Sequence, residues 1–167
     1  MGYTLELGLA EKVKQHPSGY VFVDGFTPLR VKSFTGGSTI PVDPELGYIN
    51  LALDVQPYEY GDEHFGQPTE FPTPRAVDDD GLVEASIDVT INYSKRIREV
   101  TDIHLTDLHG ERAAEVAHHF MRLIAELGDD PDFGDYWHAT DGNIKHLAKT
   151  LLDWTFQHPD GLFYSLG

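Results

Sequence analysis

The chain contains no cysteine, and bases are scarce: 12 lysines and arginines stand against 28 aspartates and glutamates, a formal charge of −16 with the nine histidines neutral. The first absence removes disulfide scaffolds, thiol nucleophiles, zinc ribbons and iron–sulfur clusters, leaving His, Asp, Glu, Ser, Thr, Tyr and Lys to do any chemistry. The second argues against direct binding of nucleic acid or of an anionic membrane surface, because a strongly negative chain is repelled by both. The one basic cluster, Lys95, Arg96 and Arg98, serves better to offset internal acids than to bind phosphate. Long apolar runs are missing too: none approaches the roughly 20 residues a membrane span requires. Met1–Ala10 lacks the basic flank and continuous apolar stretch of a signal peptide, and Glu6 stands where a myristoylation signal wants Ser or Thr, so a cytoplasmic protein is expected. No nucleophile elbow is present, and Gly36-Gly37-Ser38-Thr39 runs into Pro41 where a phosphate loop would continue into a helix.

What is present suffices for one core. At 167 residues with 40% apolar and 11% aromatic content, the chain is expected to form a single domain over 1–167. Leu5, Leu7 and Leu9 alternate as in a strand. Tyr20–Asp24 and Leu29–Phe34 flank Gly25-Phe26-Thr27-Pro28, a spacer short enough for a hairpin, and Tyr48–Val55 reads as a third interior strand after the break at Gly36-Gly37, Pro41 and Pro44. Val83 to Tyr93 alternates apolar with polar residues throughout, which predicts one long strand, with Ile97–Leu105 as its partner after a turn at Ser94-Lys95. Two helices are expected next. Residues 107–127 carry Ala113, Val116, Ala117, Phe120, Leu123, Ile124 and Leu127 on one face, with Thr106 or Asp107 as cap and Gly128 as stop. The second helix, about 142–157, is capped by Thr140 or Asp141, and the tail 162–165 adds an edge strand. Strands followed by helices predict an α+β fold: an antiparallel sheet of about five strands with two C-terminal helices packed on one face.

Two segments concentrate the acidity. Residues 56–80 hold four prolines and seven acids against Arg75, a net −6, and read as a long Pro-rich acidic loop. Its aromatics imply that it packs on the body. Residues 129–141 hold five acids and no base. Acids interleaved with large aromatics suit protein recognition, in which aromatics anchor and carboxylates steer. The expected interaction surface therefore comprises Tyr58, Tyr60, Glu63 and Phe65 with Asp132, Asp135, Tyr136 and Trp137. The resulting expectation is a non-catalytic, acidic binding protein that recognises a basic protein surface and needs no cofactor. Its oligomeric state is left open.

The alternative from another class is a metal-dependent enzyme. Asp102, His104, Asp107 and His109 fall at the junction of the last central strand and the first helix, a place where sites often sit. With His118 or His119 they would make a mixed nitrogen and oxygen set for a divalent metal. The competing reading is structural: Asp107 caps a helix, Asp102 and His104 face solvent, and Glu111, Glu115, His118 and Arg122 form the wet stripe of an amphipathic helix. A third reading places a small molecule between the sheet and the long loop, with Tyr58, Tyr60, His64 and Phe65 as lining.

Tyr136-Trp137, the Ala139-Thr140-Asp141-Gly142-Asn143 helix start, Leu151-Leu152-Asp153-Trp154 and His158-Pro159, with the opening Met1-Gly2-Tyr3, resemble small uncharacterised proteins of actinobacteria and their phages. The likeness is confined to residues 135–159 and the opening tripeptide. It implies an accessory gene of a phage or mobile element and supplies no catalytic residues.

Overall fold

The computed structural model describes residues 2–32, 39–43, 47–50, 63–64, 67–68, 82–128 and 138–166, with backbone alone at 32, 39–43, 47–50, 63–64, 67–68, 83 and 166. They form an α+β arrangement of antiparallel sheets with three α-helices. In chain order, β1 (Gly2–Leu9) is followed by β2 (Lys12–Gln15), β3 (Val21–Asp24), β4 (Thr27–Pro28) and β5 (Arg30–Lys32). Next come β6 (Thr39–Asp43), β7 (Gly47–Asn50), β8 (Glu63–His64), β9 (Gln67–Pro68), β10 (Leu82–Glu84) and β11 (Ser86–Thr90). The helices α1 (Ser94–Thr101), α2 (Ala113–Glu126) and α3 (Asp141–Gln157) precede the last strand, β12 (Leu162–Leu166).

β1 is the centre of the main sheet. Its alternation places Tyr3, Leu5 and Leu7 in the core, the two leucines with no exposed surface. β11 pairs with one side of it from Gly2–Thr90 to Glu6–Ser86, and β12 with the other from Thr4–Leu166 to Gly8–Leu162. Beyond Glu6, β11 gives way to β4, which pairs at Gly8 and Leu9. Three strands meet at this handover through a closed ring of main-chain bonds. Leu7 N–H donates to Ala85 O (3.0 Å), Ala85 N–H to Leu29 O (2.9 Å) and Leu29 N–H to Leu7 O (2.9 Å). Ala85, fully buried, is where the strand expected to run from Val83 to Tyr93 breaks. Before it, β10 pairs with β5; after it, β11 pairs with β1 and ends in a 3-10 turn at Ile91–Tyr93.

The expected hairpin through Gly25–Pro28 does not form. β3 instead pairs with β2, from Lys12–Asp24 to Gln15–Val21, and the turn is made one segment earlier. There Gly19 takes a φ of +92, its N–H donates to His16 O (2.8 Å), and Ser18 N–H donates to His16 Nδ1 (3.1 Å). The break expected before Tyr48 holds β6, which pairs with β7 across a register shift between Pro41 and Asp43. Within the expected 56–80 loop, β8 and β9 form a two-residue pair; residues 51–55 and the rest of that segment lie outside the described residues.

The partner strand expected over Ile97–Leu105 is a helix for most of its length. Its β-branched residues read as strand, but Tyr93, Ile97, Val100 and Thr101 are buried at helical spacing, and Thr101 Oγ1 donates to Ile97 O (2.7 Å). The helix expected over 107–127 is also divided. Gly110, with φ +82, separates a 3-10 turn at Leu105–Leu108 from α2, whose N-cap is Arg112 rather than Thr106 or Asp107. No side chain caps α2. Carbonyls of the segment before β12 do so: Ala113 N–H donates to Gly161 O (2.8 Å) and Ala114 N–H to Pro159 O (3.0 Å). α3 begins as expected, with Thr140 Oγ1 accepting from Asn143 N–H (3.2 Å).

One carboxylate ties the helices together. Asp141 takes a two-pronged bond from Arg96 of α1 (3.0 and 3.2 Å) and accepts Gly128 N–H beyond α2 (3.1 Å), which holds its carboxyl below the ordinary aspartate range. The core runs without interruption from β1 through β11 and β12 to the three helices, with Phe120 of α2 edge-on to Phe163 of β12 (5.7 Å). No described helix is long and apolar enough to cross a membrane.

Candidate binding cleft

The β2–β3 hairpin stands off the core, and nothing in it is buried. Its seat on the body is Gly110, where an added Cβ would collide with Val21 Cγ1. The valines of β3 therefore face the body over that glycine, while Phe22 and Tyr20 stay 53% and 63% exposed. Between hairpin and body lies an open cleft of about 610 Å³. One wall is Gly19, Tyr20, Val21, Phe22 and Val23; the other is Thr106 and Asp107 of the 3-10 turn, His109, and Tyr164 and Ser165 of β12. That size lies within the range of about 300 to 1,000 Å³ usual for ligand sites, and apolar and aromatic lining with a few fixed polar groups is their usual make-up.

His109 supplies the fixed polar group. Ser165 N–H on the outer edge of β12 donates to His109 Nδ1 (3.1 Å), and the ring leans on Tyr164, whose other neighbour is the stacked ring of Phe26 (4.9 and 4.5 Å). An accepting Nδ1 carries no proton, so this hydrogen-bond pattern assigns the hydrogen to Nε2. Burial lowers the His109 pKa from its ordinary value, which keeps the ring neutral at pH 7. The cleft is thus lined by His109 with its neutral N–H donor at Nε2, by Asp107 and by three aromatic residues, Tyr20, Phe22 and Tyr164.

The metal-ligand candidates occupy separate roles. Asp102 is exposed and ends α1 in the left-handed conformation, φ 64. Asp107 Oδ2 accepts His104 N–H (2.9 Å), closing a capping box on the 3-10 turn in which His104, not Asp107, is the N-cap. His118 is exposed on α2 beside His119 (ring centroids 4.0 Å apart), whose pKa is lowered first by burial and then by the proximity of His118 and Arg122. Among the described residues, no group of three or more His, Asp or Glu is placed to hold a metal ion.

His104 is half-buried against Tyr3 (5.5 Å), and its Nε2 lies 2.9 Å from Ser94 Oγ, a part-buried serine–histidine contact. A hollow of about 520 Å³ lined by Lys95 and Arg98 lies beside it. The pair is oriented against nucleophilic catalysis. Thr106 N–H donates to His104 Nδ1 (3.2 Å), so the hydrogen sits on Nε2 and is given to Ser94 Oγ. A general base would need an unprotonated Nε2 to take the serine proton.

Of the expected interaction surface, Tyr58, Tyr60, Phe65, Asp132, Asp135, Tyr136 and Trp137 lie outside the described residues, and Glu63 is described only as backbone in β8. The cleft residues Tyr20, Phe22 and Tyr164 are not among the sequence-derived candidates. Their signal is the pairing of wet aromatics with valines on alternate positions of Tyr20–Val23. No family model, curated protein or solved structure matches the chain.

Proposed function

We propose that this chain is a non-catalytic binding protein that takes a basic polypeptide into the cleft between β3 and β12. The observation that carries the reading is the fixed, neutral His109 donor set between exposed aromatic rings and a carboxylate, in a hollow that the core does not need. Large aromatics with one end wet are the usual anchors of recognition surfaces. The chain's charge of −16 supports a basic partner, since complementary fields speed encounter and disfavour acidic competitors. The orientation of the Ser94–His104 pair favours binding over acyl transfer.

Titration of isotope-labelled protein with a lysine oligomer at low salt tests the reading. Side-chain signals of His109, Tyr164 and Phe22 are expected to shift, the shifts to shrink with added salt, and Tyr164→Ala to weaken them at least tenfold. A glutamate oligomer that shifts the same signals equally, or a lysine oligomer that shifts none of them, would overturn it.

A further inference from the structure

The hairpin wall of the cleft offers main chain as well as side chains. In an antiparallel ladder alternate residues turn their N–H and C=O toward the partner strand and the residues between turn theirs away. Tyr20 O accepts from His16 N–H and Asp24 O from Glu11 N–H, and Lys14 faces Phe22 between them. Tyr20, Phe22 and Asp24 thus point their main-chain groups at β2, and Val21 and Val23 point theirs outward. Successive side chains of a strand lie on opposite faces, so a hollow lined by five consecutive residues, Gly19 to Val23, and by none of β2 runs along the strand's outer edge. Among the described residues nothing bonds to the N–H or C=O of Val21 or Val23 on that side.

Exposed sheet edges are usually blunted by charge, proline or cover. β12 is covered: Phe163 exchanges bonds with Gly110 and Glu111, and the His109 ring accepts Ser165 N–H. β3 is not. Its Val21-Phe22-Val23 stretch has neither lysine nor proline, while Lys12 and Lys14 stand on β2.

We propose that the ligand of the cleft is an extended basic segment of another polypeptide, which adds to the outer edge of β3 as a third strand. The main-chain groups of Val21 and Val23 supply its ladder bonds, alternate side chains meet the Tyr164 and Phe22 rings, and a basic side chain reaches Asp107. Strand addition draws affinity from main-chain bonds and specificity from the pockets that alternate side chains enter. A second copy of this chain is the less suitable occupant, because it brings a further charge of −16 to an edge already beside a carboxylate. The proposal rests on the reading of the cleft as a binding site and adds the mode and chemistry of the ligand.

The test uses the capped peptide Lys-Val-Lys-Val-Lys at millimolar concentration, where main-chain affinity alone must register, and its counterpart methylated at every internal amide nitrogen, which keeps charge and side chains and loses the donors. The plain peptide is expected to slow hydrogen exchange of the Val21 and Val23 amides and to bind at least tenfold tighter than the methylated one. If both peptides bind equally, or if His109 and Tyr164 signals shift while Val21 and Val23 exchange is unchanged, strand addition is wrong and the cleft reading stands. If neither peptide moves any cleft signal, both fall. Protection of Val21 and Val23 that grows with protein concentration in the absence of peptide would give the edge to a second copy and overturn the proposal.

Discussion

β1 and the β2–β3 hairpin follow one another directly in the chain, and both set aliphatic residues at alternate positions, Leu5, Leu7 and Leu9 in the one and Val21 and Val23 in the other, yet one is the centre of the fold and the other stands outside it. The difference is the number of neighbours. β1 has a strand on each side and loses its leucines to the core; β3 has a partner on one side only and keeps Phe22 half in water. Alternation specifies a face, and a face is buried only where other elements close over it. A strand bonded on both edges has no main chain left for recognition, whereas a half-bonded one does.

The sharpest way to expose that contrast is one substitution on each side of it. Phe163→Ala, in the core strand next to β1, is expected to cost about 3 to 5 kcal/mol, because it deletes a fully buried ring that touches Phe120. Phe22→Ala, the same change in β3, should stay within about 0.5 kcal/mol. Denaturant unfolding of the two variants measures both, and equal losses would mean that the hairpin belongs to the core.

Next in size is the seat itself. Gly110→Ala puts a side chain at φ +82 and into Val21, so a loss of roughly 1 to 3 kcal/mol is expected. Hydrogen exchange should show the β2–β3 amides opening more than those of β1, since the collision is with the hairpin. Uniform loss across both would show that Gly110 serves only its own turn.

A smaller effect belongs to the body alone. Arg96 and Gly128 lower the Asp141 carboxyl pKa in the folded chain, so the folded state binds fewer protons than the unfolded one. That contribution is present above the ordinary aspartate range and is lost as pH falls through the lowered value. The unfolding midpoint of Asp141→Asn should accordingly lie below that of the parent at pH 7, converge with it in acid, and leave the exchange of the hairpin amides unchanged. Smallest of all is Tyr3→Phe. The Tyr3 hydroxyl is buried with no partner among the described residues, and burial raises its pKa above the ordinary tyrosine value. Removing it should leave stability unchanged or raise it by up to about 1 kcal/mol. A clear loss in thermal unfolding would show that the hydroxyl is bonded.

Much of the body was legible because its signals are local. The β1 alternation, the Thr140 cap and the stripe of α3, and the tail strand each depend on residues within a turn or two of one another. Where the reading failed, two local signals competed. Gly25–Pro28 and Pro17–Gly19 are both turn-like, and only the pairing of β4 with β1 decides between them. Ile97, Val100 and Thr101 favour a strand by type and a helix by spacing, and the core selects the spacing. The cleft was the least legible part. His109 was singled out for the metal chemistry its residue type suggests, but its bond to Ser165 and its contact with Tyr164 arise from β12 crossing back beside β1, which no spacing near residue 109 announces.

The ring of bonds joining Leu7, Ala85 and Leu29 also has a consequence in time. Three segments far apart in sequence must come together before all three bonds are made, and the strand at the centre, translated before its neighbours, faces Ile87 on one side and Ser165 on the other. Contacts of such long range make folding slow, because loop closure must precede the pairing that rewards it. During synthesis β1 therefore emerges with both edges open, and the edge that β12 takes stays open after β4 and β11 have followed, which makes the interval before β12 appears the one in which this chain most needs protection from aggregation.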